Sequence, residues 1–146
     1  MALLDYLNAA RTSVGVAPLR ADDRLDTAAR LHAQDIATHP GLLHDGSDGS
    51  TIGQRIAASG YQAEHWGEVV GWGFGGDARQ MVEWWLVSPD HRGYVLSADF
   101  ADVGVGYVVA PGTPWGHYWC VDFAGGAFAP PAPPRPYTSH VPVVVG

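Results

Sequence analysis

The sequence contains a single cysteine, Cys120, and no lysine. One cysteine cannot form an internal disulfide, so the fold has to rest on its hydrophobic core alone. The eight basic residues are all arginines, scattered from Arg11 to Arg135, and no basic run is present that would neutralise a phosphate backbone. Together with a formal net charge of −7, this distribution excludes nucleic acid as the expected partner.

Long apolar stretches are also missing. No run approaches the roughly 20 residues that a membrane-spanning helix needs, so no transmembrane segment is predicted. The N-terminus lacks a secretory pattern, because Leu3, Leu4 and Leu7 recur at helical spacing without a basic region or an Ala-x-Ala site. The sequence alone therefore leaves open a cytoplasmic chain and a chain whose leader has been removed.

The composition indicates one globular domain followed by a tail. The chain has 146 residues, of which 47% are hydrophobic and 16% charged, which is typical of a folded domain with its own core. Six of the eleven prolines lie beyond Ala129. We therefore predict a domain over residues 1–128 and a proline-rich strap or linker over 129–146.

Hydrophobic periodicity and capping residues predict helices first and paired strands last. The expected helices cover 3–11, 24–38, about 51–59 and 78–87, and the expected strands cover 103–109 and 117–123. Residues 66–72 are extended or irregular by pattern, and Pro89 is expected to end the fourth helix. This order predicts an α+β fold with helices packed on a mostly antiparallel sheet.

Five segments in this order resemble the bacterial pattern of the CAP superfamily, which groups cysteine-rich secretory proteins, antigen 5 and pathogenesis-related proteins. They are HDGSDGSTIGQRIAASGY (44–61), GEVV (67–70), EWWLVSPDHRGYVL (83–96), DVGVGY (102–107) and HYWCVDFA (117–124). The resemblance spans about residues 3–124. It implies an α-β-α sandwich, and a secreted or cell-envelope location.

The resemblance also implies a cleft that contains His44, Glu68 and His91. The second glutamate of the eukaryotic members falls at Ser88, and the usual asparagine after the second histidine is Gly93. Two imidazoles and one carboxylate are a donor set that suits a divalent cation, zinc first, with an open coordination position. The same three groups can instead form a buried hydrogen-bonded network that only locks loops together.

Three further residues are second-rank candidates for this cleft. Ser88 precedes His91 by three positions, but a Ser–His hydrolase is poorly supported because no G-x-S-x-G elbow is present. Glu83 is a candidate for the missing carboxylate, although pairing with Arg79 one helical turn earlier is the simpler expectation. His65 lies near Glu68 in sequence and is a candidate for the rim.

Other side chains are expected to be structural. His32 lies on the apolar stripe of the second helix, which predicts a core histidine. Cys120 is expected to be a buried small apolar residue that faces away from His117. Of the adjacent Trp84 and Trp85, one is expected to pack inward and the other to flank the cleft.

These residues lead to one favoured function and two alternatives. We expect a secreted or surface binding module whose cleft takes a divalent cation or a small apolar, lipid-like ligand. The first alternative is a metal- or His-assisted hydrolase in which Glu68 is the general base and His44 and His91 hold metal or substrate. The second is a structural domain that docks a protein partner, for which the proline-rich tail gives mild support.

Overall fold

The computed structural model describes residues 1–126 and 143–145. Its helices are α1 (Leu3–Ser13), α2 (Asp23–Thr38), α3 (Ile52–Ala58), α4 (Ala78–Val87) and α5 (Pro89–Val95). Its strands are β1 (Arg20–Ala21), β2 (His65–Trp72), β3 (Asp102–Val109), β4 (His117–Gly125) and β5 (Val143–Val144). No helix in this part of the chain has the length and apolar character needed to cross a bilayer.

The strands form one sheet with the order β1-β3-β4-β2, and β5 pairs with the outer side of β3. The long pairs, β2 with β4 and β3 with β4, are antiparallel. The two-residue strands β1 and β5 run parallel to β3. The predicted α+β class with a mostly antiparallel sheet is therefore confirmed, and β2 lies at one edge of the sheet.

Helices cover both faces of this sheet, so the predicted α-β-α sandwich is confirmed. Side chains alternate along each strand. Val69, Trp119 and Val121 lie in the largest hydrophobic cluster, to which α1 and α4 contribute. Val70 and Cys120 belong to a second cluster with the alanines of α2. Even-numbered residues of β2 and β4 thus face the α2 side.

Two glycines allow α2 to lie directly on the sheet. A Cβ atom at Gly104 would overlap the main chain of Leu25, and one at Gly106 would overlap the main chain of Ala29. The helix therefore contacts β3 through its backbone as well as through its buried alanines. This close approach sets the distance between α2 and the sheet, and therefore the positions of the α2 side chains.

The predicted helix starts are confirmed. Asp22 accepts hydrogen bonds from the first-turn amides of α2, and Asp77 does the same for α4. Thr51 and Gln54 form a reciprocal capping box at the start of α3. These caps satisfy amide groups that have no partner within the helix.

The fourth predicted helix ends where it was expected, at Val87 before Pro89. A further helix, α5, was not predicted; it begins at Pro89, since proline is well suited to the first helical position. Residues 66–72, which were expected to be extended or irregular, belong to a regular strand. The strands β1 and β5 were not predicted, because two residues are too few to show an alternating pattern.

The proline-rich segment over 127–142 lies outside the described residues. Beyond it, Val143 and Val144 form β5, and Val143 and Val145 pack against the cluster beside α2. The end of the predicted tail therefore adds a short strand to the sheet, where the sequence predicted only a strap or linker. The division into 1–128 and 129–146 stays a prediction.

A buried arginine ties α1 to the segment that follows α5. Arg11 is 1% exposed. Its Nε donates to the carbonyl of Ala17, Nη1 donates to those of Val95 and Ser97, and Nη2 donates to that of Phe100, at 2.8–3.0 Å. Burial lowers the pKa of the guanidinium from its ordinary value. Four carbonyls therefore depend on one side chain.

Candidate functional site

Glu68 is the centre of a buried polar network on the α2 side of the sheet. Its side chain is fully buried. The Nδ1 atom of His44 lies 2.9 Å from Glu68 Oε1, and the Nη2 atom of Arg55 lies 2.7 Å from Oε2. His32 Nε2 is 3.5 Å from the same Oε1 but only 2.6 Å from the carbonyl oxygen of Leu43. A strand, a loop and two helices thus meet at one carboxylate.

The charge of Glu68 determines which nitrogen of His44 donates the hydrogen bond between them. Burial opposes ionisation of Glu68, but the hydrogen bonds from His44 and Asp122 and the positive charge of Arg55 outweigh it, so the pKa of Glu68 is lowered. An ionised carboxylate only accepts hydrogen bonds, so Nδ1 of His44 carries the proton. The side chain of His44 is 44% exposed. Its second nitrogen, Nε2, has no hydrogen-bond partner among the described residues.

His91 approaches from the opposite helical layer, on α5. Its ring lies against Trp84 of α4, with ring centroids 5.2 Å apart. Burial and then the charge of His44 lower the pKa of His91. Trp85 is fully buried while Trp84 is 44% exposed, so the expectation that one of the two packs inward is confirmed, and a cleft-flanking role for Trp84 stays a prediction.

The three predicted cleft residues do not converge as three ligands. Among the described residues, the one set of three His, Cys, Asp or Glu ligand atoms within 4.8 Å of one another is Glu68, Cys120 and Asp122. The structure joins His44 directly to Glu68, and His91 makes no hydrogen bond to that carboxylate.

The buried set is poorly suited to a cation. Asp122 faces Glu68 across the β2–β4 pairing. Burial and then the negative charge of Glu68 raise the pKa of Asp122 well above its ordinary value, and burial also raises that of the Cys120 thiol. Both shifts favour the protonated form of the donor, and Arg55 already neutralises Glu68. A cation bound there would have to displace those protons, which disfavours this set as a metal site.

Replacing Asp122 with asparagine is expected to raise the melting temperature at neutral pH. Because the folded-state pKa of Asp122 is raised, the unfolded chain releases its proton first, and stability falls as pH rises above about 4. Asparagine does not titrate and can still donate to Glu68. We expect a gain of about 3 °C or more at pH 7, shrinking to nothing near pH 3, measured by calorimetry.

The exposed Asp45→Asn is the matched control, and it should melt like the wild type at both pH values. An Asp122→Asn variant that melts below the wild type at pH 7 would contradict a protonated Asp122.

The second-rank candidates make no hydrogen bond or ion pair with Glu68. Ser88 links the end of α4 to the start of α5. Glu83 accepts a hydrogen bond from Arg79 Nε at 2.8 Å, and both side chains are mostly exposed, as the simpler expectation had it. His65 is exposed at the first position of β2, and its odd position directs it to the face opposite Glu68.

Sequence reasoning missed Arg55 and Asp122 as members of the network. His32 was expected in the core, which its burial confirms, but its proximity to Glu68 was not anticipated. One signal was available in the sequence, because the even-numbered residues of β4 share one face of the sheet. Asp122 is the charged residue on a face that is otherwise built of Tyr118, Cys120 and Ala124, and it therefore required a buried partner.

An apolar pocket lies apart from this network. It has a volume of about 560 Å³ between the end of α2 and the β3–β4 hairpin. Its walls include Leu42, Trp72, Trp115 and Tyr118. Neither His44 nor His91 lines it, so an apolar ligand held there would not share the histidine pair.

A three-layer α-β-α sandwich is the architecture that the sequence resemblance implied. The sequence model of the cysteine-rich secretory protein family, CAP, matches residues 4–123. The chain therefore belongs to the CAP family.

The relatives place this domain among bacterial proteins. The uncharacterized protein YkwD of Bacillus subtilis is 27% identical over 123 residues, which cover 84% of this chain and 46% of the relative. This chain thus spans about half the length of that curated relative.

Two solved structures share the fold. An extracellular protein of Bacillus anthracis that contains an SCP domain matches with a TM-score of 0.74 and 22% identity, over 84% of this chain and 39% of that one. An outer surface protein of Borrelia burgdorferi matches with a TM-score of 0.72 and 21% identity, over 84% of this chain and 89% of that one.

Proposed function

We propose that this CAP domain is an extracellular binding module in which His44 and His91 bind a divalent cation, zinc first. The observation that carries the proposal is the hydrogen bond between His44 Nδ1 and the ionised Glu68. A carboxylate that holds the far nitrogen of a histidine fixes its tautomer and raises the basicity of the other nitrogen. Glu68 thereby acts on His44 rather than as a ligand.

The two rings are suited to this role in chemical terms. Nε2 of His44 has no hydrogen-bond partner among the described residues, and Nδ1 of His91 is likewise without one. Burial lowers the pKa of His91, so its imidazole is neutral at pH 7, as a metal ligand has to be. Neutral imidazole nitrogen is a preferred zinc ligand, and water completes an open site.

The extracellular part of the proposal rests on the relatives. The Bacillus anthracis protein is described as extracellular and the Borrelia protein as an outer surface protein. A domain without disulfides is compatible with such a location, because its buried core carries the fold by itself.

The cation proposal is tested by calorimetric titration of the protein with Zn²⁺. The wild type is expected to bind one ion, and the double variant His44→Ala/His91→Ala should bind at least about tenfold more weakly, or 1.4 kcal/mol. Glu68→Gln, which keeps the hydrogen bond but removes the charge, should weaken binding about tenfold.

His65→Ala is the control, because that exposed histidine lies on the other face of β2 and should leave the affinity unchanged. Melting curves establish that each variant is folded. Equal zinc affinity in the wild type and in the double variant would end the proposal.

The hydrolase alternative is supported less well by this geometry. Glu68 is buried under its partners His44 and Arg55, so its carboxylate does not reach a substrate as a general base. The partner-docking alternative depends chiefly on the proline-rich segment, which lies outside the described residues. Cation binding is therefore the function that the arranged side chains favour.

A further inference from the structure

The loop that carries His44 is held to helix α2 by a hydrogen bond directly beside that histidine. The loop spans residues 39–51, between α2 and α3. On α2, Nε2 of His32 lies 2.6 Å from the carbonyl oxygen of Leu43, the residue before His44. A carbonyl oxygen only accepts hydrogen bonds, so Nε2 of His32 carries the proton and donates it. The bond therefore acts on the peptide group that joins Leu43 to His44.

His32 occupies a rigid place in the fold. Its side chain is fully buried, and α2 lies directly on β3 where Gly104 and Gly106 allow a close approach. Burial lowers the pKa of His32, so the ring is neutral at about pH 7 and has a single N–H to donate. Oε1 of Glu68 is 3.5 Å from Nε2, which is longer than a normal hydrogen bond. The proton of His32 is therefore directed chiefly at Leu43.

A second side chain of α2 holds the same loop farther from His44. Asp35 accepts hydrogen bonds from the amide and the hydroxyl of Ser47, at 2.8 and 2.6 Å. That contact lies three residues after His44, whereas His32 acts on the residue directly before it. Of these two contacts, the one made by His32 has the more direct effect on where the imidazole of His44 lies.

Two hydrogen bonds thus act on His44 from different layers of the fold. Glu68, on β2, holds the side chain through Nδ1 at 2.9 Å. His32, on α2, holds the main chain through the preceding carbonyl. The side chain of His44 is 44% exposed, so packing restrains it less than it would a buried ring. Both hydrogen bonds are therefore needed to keep the imidazole in one orientation.

We propose that His32 is a positioning residue for His44: its hydrogen bond to Leu43 keeps His44 in the orientation in which Nδ1 donates to Glu68 and Nε2 is left for a ligand. The inference rests on the proposed function in taking His44 as a cation ligand. His32 does not contact the cation itself. Residues of this kind, which orient a ligand from behind, change metal affinity about 10–100-fold when they are replaced.

The first experiment uses the metal-free protein, so that it does not depend on cation binding. Long-range ¹H–¹⁵N spectra of the imidazole rings are recorded at a pH of about 8.5, above the ordinary histidine pKa. In the wild type, His44 is expected as the Nδ1–H tautomer and His32 as the Nε2–H tautomer. An Nδ1–H tautomer of His32 in the wild type would overturn the proposal, whichever variants fold.

Variants of His32 test the effect on His44. His32→Phe keeps an aromatic ring but removes the donor, and His44 should then populate both neutral tautomers. His32→Gln has an amide that can donate from nearly the same position, and it should restore the Nδ1–H tautomer. Should His32→Phe fail to fold, His32→Leu takes its place. An unchanged His44 tautomer in the folded variant without a donor would disprove the role of His32.

Val103→Ala is the control for a general loss of stability. It removes buried apolar volume on the face of the sheet opposite α2, so it should lower the melting temperature and leave the His44 tautomer unchanged. If Val103→Ala shifts the tautomer as much as His32→Phe does, the effect is one of stability and the proposal fails.

Zinc titration then measures the consequence for the cation site. His32→Phe should bind zinc at least about tenfold more weakly than the wild type, and His32→Gln within about threefold of it. Unchanged zinc affinity in His32→Phe would contradict the proposal. A wild type that binds no zinc would end the proposed function instead, and the tautomers of the metal-free protein would still decide the role of His32.

Discussion

Gly104→Ala is expected to destabilise the protein by about 3 kcal/mol or more, at or beyond the upper end of overpacking effects. The added methyl group would overlap the main chain of Leu25, and no rotamer change relieves an overlap between two backbones. Helix α2 would have to lift from β3, which would also move His32 away from the Glu68 network. Urea unfolding monitored by tryptophan fluorescence measures the loss of unfolding free energy.

Gly93→Ala is the matched control for this prediction. Gly93 lies within α5, and a methyl group there meets nothing within 4 Å. Alanine is favoured over glycine in a helix by up to about 1 kcal/mol, so this variant should be neutral or slightly more stable. Similar stability losses for the two variants would show that the helix-to-strand approach is not the cause.

Arg11→Met is expected to lower the free energy of unfolding by about 3–5 kcal/mol, which is the usual cost of separating a buried charged group from its partners. The substitution keeps most of the apolar stem but leaves the carbonyls of four residues without their donor. Arg11→Lys should recover only part of the loss, because an ammonium group has three donors on a single nitrogen and lacks the planar fork.

Chemical denaturation of both variants, with the exposed Arg92→Met as control, checks this expectation. The control should stay within about 0.5 kcal/mol of the wild type. An Arg11→Met variant as stable as the control would mean that the four carbonyls find other partners.

Local signals were sufficient to predict most of the fold. Thr51 with Gln54 and Asp77 with Gln80 mark helix starts because capping is decided within one turn of chain. The alternation over 103–109 and 117–123 predicts the hairpin for the same reason. The pairing of β1 and β5 with β3 depends on contacts between distant segments, and two-residue strands have no periodicity of their own.

The site was predictable only in part. The family resemblance predicted His44, Glu68 and His91 as site residues. The structure shows a hydrogen bond between the first two. Arg55 and Asp122 were not predicted as members of the network. A charged residue on α3 is expected to face solvent unless the packing of that helix against the sheet is known. The hydrogen bond between Glu68 and His44 depends on how distant segments pack, which residue spacing along the sequence does not determine.

The placement of Cys120 has a consequence for the surroundings in which this protein can operate. The thiol is fully buried and its pKa is raised, so the reactive thiolate is scarce and shielded from oxidants and from other thiols. Folding therefore needs no oxidative machinery, and the folded protein neither gains nor loses a covalent link when the redox potential around it changes.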